Sequence, residues 1–334
     1  FGYFMQYGLR AKERRPAGFE APEIGTFLHY LLENTAREVA GSGGWAAVKT
    51  PQLHAMVRKY IDLYIRDEIP GYEEKSARFR YLFGRLRTTA EDIVDRMAEE
   101  LAESDFKPVA FELGFGGRDG TLPAITIQEG DATLSVSGKV DRVDGWLHDG
   151  KLYLRVVDYK TGRKSFDLSD VRYGLGIQML LYLFTLEKEG QSCFGYPIVP
   201  AGVLYHPARD LILKADRDIT PEALRRAMDR ELRRDGMVLG DPEVLRAMEH
   251  SALEAPCFLP IQVSKDGGIS GGVATAAQLG RLGQYVEKLL HQIIRELRQG
   301  NIDADPCWRG PQESACTYCD FASACHFQDG QADD

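Results

Sequence analysis

The chain has 334 residues, 44% hydrophobic and 27% charged, with 50 acidic against 41 basic side chains and a net charge of −9. This is ordinary globular composition, long enough for one large domain or two smaller ones, and its charge argues against binding nucleic acid through bulk attraction. No run of about 18 apolar residues and no secretory leader stands in it, so a membrane span is not expected and a cytoplasmic location is; it opens on Phe1 rather than Met, as a segment of a larger protein would.

Phe1 to Leu9 is dense in aromatics and is expected to form a buried helix or turn. Arg10 to Arg15 reads as a solvated basic loop. Glu20 to Ala40 predicts a helix, with Pro22 in its first turn and Ile24, Phe27, Leu28, Leu31 and Leu32 along one side; Gly25 and His29 then lie one turn apart. Pro51 to Ile69 and Arg78 to Ser104 predict two more helices. The apolar period then falls to two. Val109 to Phe115 predicts a strand with Phe111, Leu113 and Phe115 on one face and Glu112 on the other, and Leu122 to Gln128 predicts a second, placed at an edge by Pro123.

Gly138 to Lys160 reads as a hairpin, followed by a helix over Asp170 to Glu189 and a strand over Tyr196 to His206, with Leu211 to Lys214 as a further short candidate. Asp218 to Leu239 contains a helix capped by Thr220 with Pro221 at its first position; Pro242 to Ser251 is a short helix and Phe258 to Val263 a strand. Asp266 to Gly272 is a glycine-rich loop, and Ala274 to Gln299 a long amphipathic helix. This order predicts an α/β (mixed α+β) fold with a mixed central sheet flanked by helices. In one domain it sets a helical part at 1–105, sheet and helix at 106–206, a helical extension at 207–300 and a Cys-rich tail at 301–334. No G-x-x-x-x-G-K-[ST] stretch is present, so any nucleotide-driven motor is expected elsewhere.

Asp149-Gly150 favours a two-residue hairpin turn. With those two residues as the loop, His148 faces Lys151 and the pairing runs back until Asp141 faces Asp158. Opposed residues point to the same side about 4.5–5.5 Å apart, and Lys160, two residues beyond Asp158, shares that side. Like charges so placed repel, and a divalent cation held by carboxylate oxygens would offset them. Lys160 would orient a nucleophilic water or neutralise charge on a phosphate. Glu112 is a candidate third carboxylate, and His29 can reach the same ion from its helix. Asp-x-Lys at a strand end is also an ordinary solvated pair, and a single histidine is more often a satisfied structural one; Asp141 in facing register is what favours the metal.

The six cysteines are Cys193, Cys257, Cys307, Cys316, Cys319 and Cys325. Cys316, Cys319 and Cys325 crowd into ten residues with spacing that suits Zn²⁺ or an iron–sulfur cluster, with Cys307 the nearest spare fourth ligand. Cys193 and Cys257 sit among apolar residues and read as core.

Together these segments resemble the RecB-type nucleases of the PD-(D/E)XK superfamily, and in particular the nuclease domain of the B subunit of AddAB-type helicase–nucleases. Gly25-x-x-x-His29, Gly138-Lys-Val-Asp141-Arg142, Asp158-Tyr159-Lys160-Thr161-Gly162 and Gln178-x-x-x-Tyr182 stand in the family's order. The resemblance implies a restriction-endonuclease-like core. It implies Mg²⁺ or Mn²⁺ bound by Asp141, Asp158, the Tyr159 carbonyl and His29, with Lys160 assisting the water and Gln178 and Tyr182 steadying the site or touching DNA. It also implies a 4Fe-4S cluster on Cys316, Cys319 and Cys325, whose fourth cysteine lies just before an aromatic segment like Phe1 to Leu9. The implied substrate is DNA, mainly single-stranded, at processed double-strand breaks, with a helicase subunit of an AddAB-type complex as partner and no membrane. A non-catalytic DNA-binding or subunit-interaction module, and another RecB-like exonuclease such as a CRISPR-associated one, are the competing readings.

Overall fold

A computed structural model of the chain describes residues 2, 4–11, 21–117, 120–162, 165–209, 211, 213, 218–308, 314–325 and 327. Three helices come first: α1 (Ala21–Gly41), α2 (Thr50–Glu68) and α3 (Ala77–Ala102). Each turns a stripe of apolar residues inward at helical spacing. Phe27, Leu28, Leu31 and Leu32 of α1 meet Leu53, Val57, Ile61 and Tyr64 of α2 and Phe83, Val94 and Met97 of α3 in one buried cluster. Ser76 starts α3 by accepting a hydrogen bond from the Phe79 amide.

The strands follow as β1 (Lys107–Phe115), β2 (Ile125–Glu129), β3 (Ala132–Val136), β4 (Gly138–His148) and β5 (Lys151–Lys160). Asp149 and Gly150 both take positive φ, +47° and +70°, as the tight turn between β4 and β5 requires. The register runs without a shift from His148↔Lys151 to Arg142↔Val157; the paired ladder stops one residue short of the expected Asp141–Asp158 pair, which lies where the two strands part. Helices α4 (Leu168–Arg172) and α5 (Gln178–Phe194) cross over to β6 (Ile198–Pro207), which lies parallel to β5. Then come α6 (Pro221–Glu231), β7 (Asp235–Leu239), α7 (Pro242–Met248), the β8 (Ile261–Val263) and β9 (Ile269–Gly271) hairpin, β10 (Val273–Ala274), α8 (Ala276–Arg298) and α9 (Ala322–Cys325). The central sheet has the order β1-β4-β5-β6-β7-β10 and mixes parallel and antiparallel pairs. One side packs on α5 and α8 through Leu154, Val203, Leu180, Leu183 and Val286. The α1–α3 cluster takes in Tyr159 and Ala208 from the sheet. No described helix is long and apolar enough to cross a membrane.

Several expectations are corrected. Phe4 to Gly8 forms a helical turn, but Phe4, Tyr7 and Leu9 are exposed, not buried. The helix expected over Asp170 to Glu189 is two, broken where Gly174 and Gly176 take positive φ. The 207–300 part is not a helical extension alone: it adds β7 and β10 to the central sheet, the short strands having too few residues for a period to show. Strand β3 is an addition to the expected elements, and β2 pairs with it in a separate two-stranded sheet. Cys193, in the last turn of α5, is exposed rather than core, since the apolar face of that helix points elsewhere. The Leu211 to Lys214 strand falls in part outside the described residues.

Candidate active site

Four elements converge at one end of the sheet. Helix α1 brings His29, β1 brings Glu112, β4 brings Asp141, and β5 brings Asp158, Lys160 and the Tyr159 carbonyl. One ligand atom each from His29, Glu112 and Asp141 lies within 4.8 Å of the others. His29 Nε2 is 3.3 Å from the Tyr159 carbonyl oxygen, while Nδ1 is 3.3 Å from Asp141 Oδ1 and 4.0 Å from Glu112 Oε1. Both ring nitrogens thus face oxygen. A neutral imidazole has one N–H, so one nitrogen's lone pair opposes an oxygen unless a proton or a cation stands between. Burial pulls the His29 imidazole down, but the hydrogen bond and charge of Asp141 outweigh it and hold its pKa above the ordinary value.

Asp141 Oδ2 accepts the Tyr159 amide at 2.8 Å, taking over from the backbone ladder where β4 and β5 part. Asp158 is buried, and its Oδ2 has no aligned hydrogen bond; the Lys160 ammonium sits 2.5 Å away as its ion partner. Burial, and then the neighbouring Asp141 carboxylate, push the Asp158 carboxyl up. The ligand atoms are therefore hard oxygens and one imidazole nitrogen, with a buried carboxylate oxygen left without an aligned donor. That donor set fits a divalent cation such as Mg²⁺ or Mn²⁺.

Glu112 enters by a route the strand period does not announce. The β1–β4 register, Phe111↔Arg142 and Leu113↔Val140, places it opposite Asp141. Its φ is +49°, a left-handed conformation costly for a side chain with a Cβ. The strict alternation expected for β1 breaks there. Leu113 and Phe115 join the α5 side of the core, whereas Phe111 packs on the helices, with Arg37 over its ring, and Glu112 also reaches toward α1. Its second oxygen holds Lys139 at 3.0 Å.

Behind the site, Tyr159 is anchored in a buried ionic cluster in which Arg142 alone among the ionic side chains belongs to a sequence motif. Arg142 donates to the Tyr159 hydroxyl at 3.1 Å and pairs with Asp144 at 2.8 Å. Arg155 donates to Asp144 and Glu100, and Arg234 pairs with Glu100 at 2.5 Å. The charge of Arg234, Arg155 and Arg142 overcomes burial and holds the Glu100 carboxyl far below its ordinary range. Burial pushes the Tyr159 phenol up to about 12. The Tyr159 ring stands edge-on to His29 at 5.9 Å and to His206 at 5.3 Å, so it joins site and cluster.

Gln178 is exposed at the start of α5, and its amide donates to the Tyr182 hydroxyl at 3.0 Å. Tyr182 is buried, stacks on Phe115 at 5.2 Å, and fills the space that a Cβ at Gly138 would need. The two motifs thus fit together side to side. At the far end of the chain, Cys316, Cys319 and Cys325 line one cavity of about 250 Å³ with Gly2 and Asp303 to Pro306.

The family model for the PD-(D/E)XK nuclease superfamily matches residues 1–326. This chain belongs to that superfamily. Among similar proteins, the B subunit of the ATP-dependent helicase/deoxyribonuclease of Acetivibrio thermocellus is 34% identical over 98% of this chain. The corresponding B subunits of Caldanaerobacter subterraneus subsp. tengcongensis and Clostridium tetani are 34% and 30% identical over the same share. The chain spans only 28–29% of these relatives' lengths. The mixed sheet between helical layers agrees with the restriction-endonuclease-like core of the superfamily. Within it, sequence reasoning reaches Glu112 only as a candidate third carboxylate, and misses Lys139 and the Arg142–Tyr159 contact. The x of the G-x-[IV]-D-R pattern and its final Arg are the only signals pointing at them.

Proposed function

We propose that this chain is a metal-dependent deoxyribonuclease that hydrolyses phosphodiester bonds of single-stranded DNA at processed double-strand breaks, as the nuclease part of a cytoplasmic helicase–nuclease complex. The observation that carries the reading is the gathering of His29, Glu112 and Asp141 within 4.8 Å, beside a buried Asp158 oxygen that lacks an aligned donor. Asp141, Asp158, His29 and the Tyr159 carbonyl would hold Mg²⁺ or Mn²⁺, with Glu112 as a further ligand. Such an ion supplies positive charge to the phosphate and acidifies a water. Lys160, at the open rim, orients the attacking water and offsets negative charge as the water oxygen bonds to phosphorus and the leaving P–O bond breaks. Gln178, exposed at the helix start, offers its amide to the DNA strand, while buried Tyr182 holds that helix against β4. The names of the relatives supply the deoxyribonuclease and helicase parts of the proposal. A helicase delivers separated strands, hence the single-stranded substrate.

The three cysteines are proposed to hold a 4Fe-4S cluster. Their shared cavity supports it. Cys307, next to the cavity-lining Pro306, or a residue outside this chain is the fourth ligand. Protein purified without oxygen should show broad visible absorption that Cys316→Ser and Cys319→Ser abolish. For the nuclease, labelled single-stranded DNA is incubated with Mg²⁺ and wild-type, Asp158→Ala or Lys160→Ala protein. Cleavage by wild type alone is expected; equal cleavage by all three would sink the assignment.

A further inference from the structure

The candidate site carries a second lysine that the nuclease reading leaves unused. Lys139 lies two residues before Asp141 on β4, as Lys160 lies two residues after Asp158 on β5. Because the strands run antiparallel, K-x-D and D-x-K mirror each other, and the register count would set Lys139 opposite Lys160. The strands do not keep that pairing. Beyond Arg142↔Val157 they part: Lys139 pairs with Gly114 of β1, and Lys160 with Pro207 of β6. The result is a fork with the carboxylates in its crotch and one ammonium on each prong. Lys160 sits 2.5 Å from Asp158 Oδ2, and Lys139 sits 3.0 Å from Glu112 Oε2. The other Glu112 oxygen faces His29. Lys139 is 59% exposed, so the same ammonium is open to solvent and to anything lying across the fork.

With His29 neutral, as a metal ligand must be, Glu112, Asp141 and Asp158 against Lys139 and Lys160 leave one negative charge; a divalent cation turns this to one positive. A cation at Glu112 competes with Lys139 for the same carboxylate. We propose that Lys139 is an exchanging counter-cation: it neutralises Glu112 until the divalent metal binds, and is then released to contact a phosphate of the DNA strand on the prong opposite Lys160. The proposal rests on the metal-dependent nuclease reading.

The test compares wild-type protein with Lys139→Met and Lys139→Arg. Mn²⁺ is first titrated without DNA or nucleotide, following the spectroscopic signal of the free ion. Binding of a nuclease-resistant phosphorothioate single strand is then measured at saturating Mn²⁺ over a salt series. Lys139→Met, relieved of the competing ammonium, should bind Mn²⁺ about two- to fivefold more tightly, the range an exposed ion pair carries. Its log–log salt slope for DNA should fall by about 0.7, the loss of one phosphate contact on a single strand. Lys139→Arg should keep both wild-type values. If Lys139→Met leaves either quantity at its wild-type value, the exchange is overturned. Failure of every variant and of wild type to bind Mn²⁺ would instead overturn the metal reading, and the exchange with it.

Discussion

Two clusters of charge share strands β4 and β5, one on each side of Tyr159. On the α3 side, Glu100 and Asp144 meet Arg142, Arg155 and Arg234, none more than 2% exposed. On the α1 side, Glu112, Asp141 and Asp158 meet Lys139 and Lys160 at a half-open rim. The first cluster supplies more arginines than carboxylates and is sealed from solvent. The second is short of positive charge, three carboxylates meeting two lysines, with Lys160 the cation on the buried Asp158 oxygen. Buried charge is tolerated only where partners compensate it. A cluster whose arginines outnumber its carboxylates has no need of a further cation; one whose carboxylates outnumber its lysines has room for one.

Breaking the scaffold cluster should give the largest effect on folding. Glu100→Gln leaves three buried arginines facing a neutral amide and should cost about 3–5 kcal/mol, seen as a lowered urea midpoint. Asp158→Asn should do the reverse. It removes the buried charge that burial and Asp141 oppose, so the melting temperature should hold or rise, while cleavage of single-stranded DNA falls by about 10²–10³-fold. A drop in melting temperature as large as that of Glu100→Gln would erase the distinction between the clusters. Tyr159→Phe probes the joint between them. The ring stays, but the hydroxyl that Arg142 donates to is lost, at a cost of about 1.5–3 kcal/mol in urea unfolding.

The smallest effect concerns acid. Burial, with Arg234 beside it, holds the His206 imidazole well below its ordinary 6.5, so the folded protein leaves it unprotonated while the unfolded chain protonates it normally. Its contribution is therefore full above pH 6.5 and declines as pH falls below that value. His206→Gln should flatten this part of the stability–pH curve relative to wild type, measured by thermal melts.

The half-open cluster is largely legible in the residues. Asp149-Gly150 dictates a two-residue turn, the turn dictates register, and register brings Asp141 to Asp158; each step is local. His29 comes from a helix period and a spacing. The scaffold cluster is not legible, because an arginine on a strand reads as a solvent-facing residue until a carboxylate from a distant helix, here Glu100, is known to cover it. Glu112 is legible only as a candidate, for a different reason. Alternation assumes φ below zero at every position, and one left-handed residue turns Phe111 and Glu112 toward the same layer. The broken helix before Gln178 follows the same rule, with Gly174 and Gly176 supplying the positive φ that a continuous apolar pattern conceals.

The contact between Gly138 and Tyr182 reaches into how the chain folds. The tyrosine hydroxyl occupies the room of a missing Cβ, so the chain has a notch at the first residue of β4, between the full side chains of Ser137 and Lys139. A slip of β4 by one position would drive a Cβ into that hydroxyl, and the same slip would exchange Asp141 for Val140 or Arg142 at the fork. The crossover helix thus acts as a key that admits a single alignment of the strand, and a misaligned β4 is refused on steric grounds before any ion or DNA arrives.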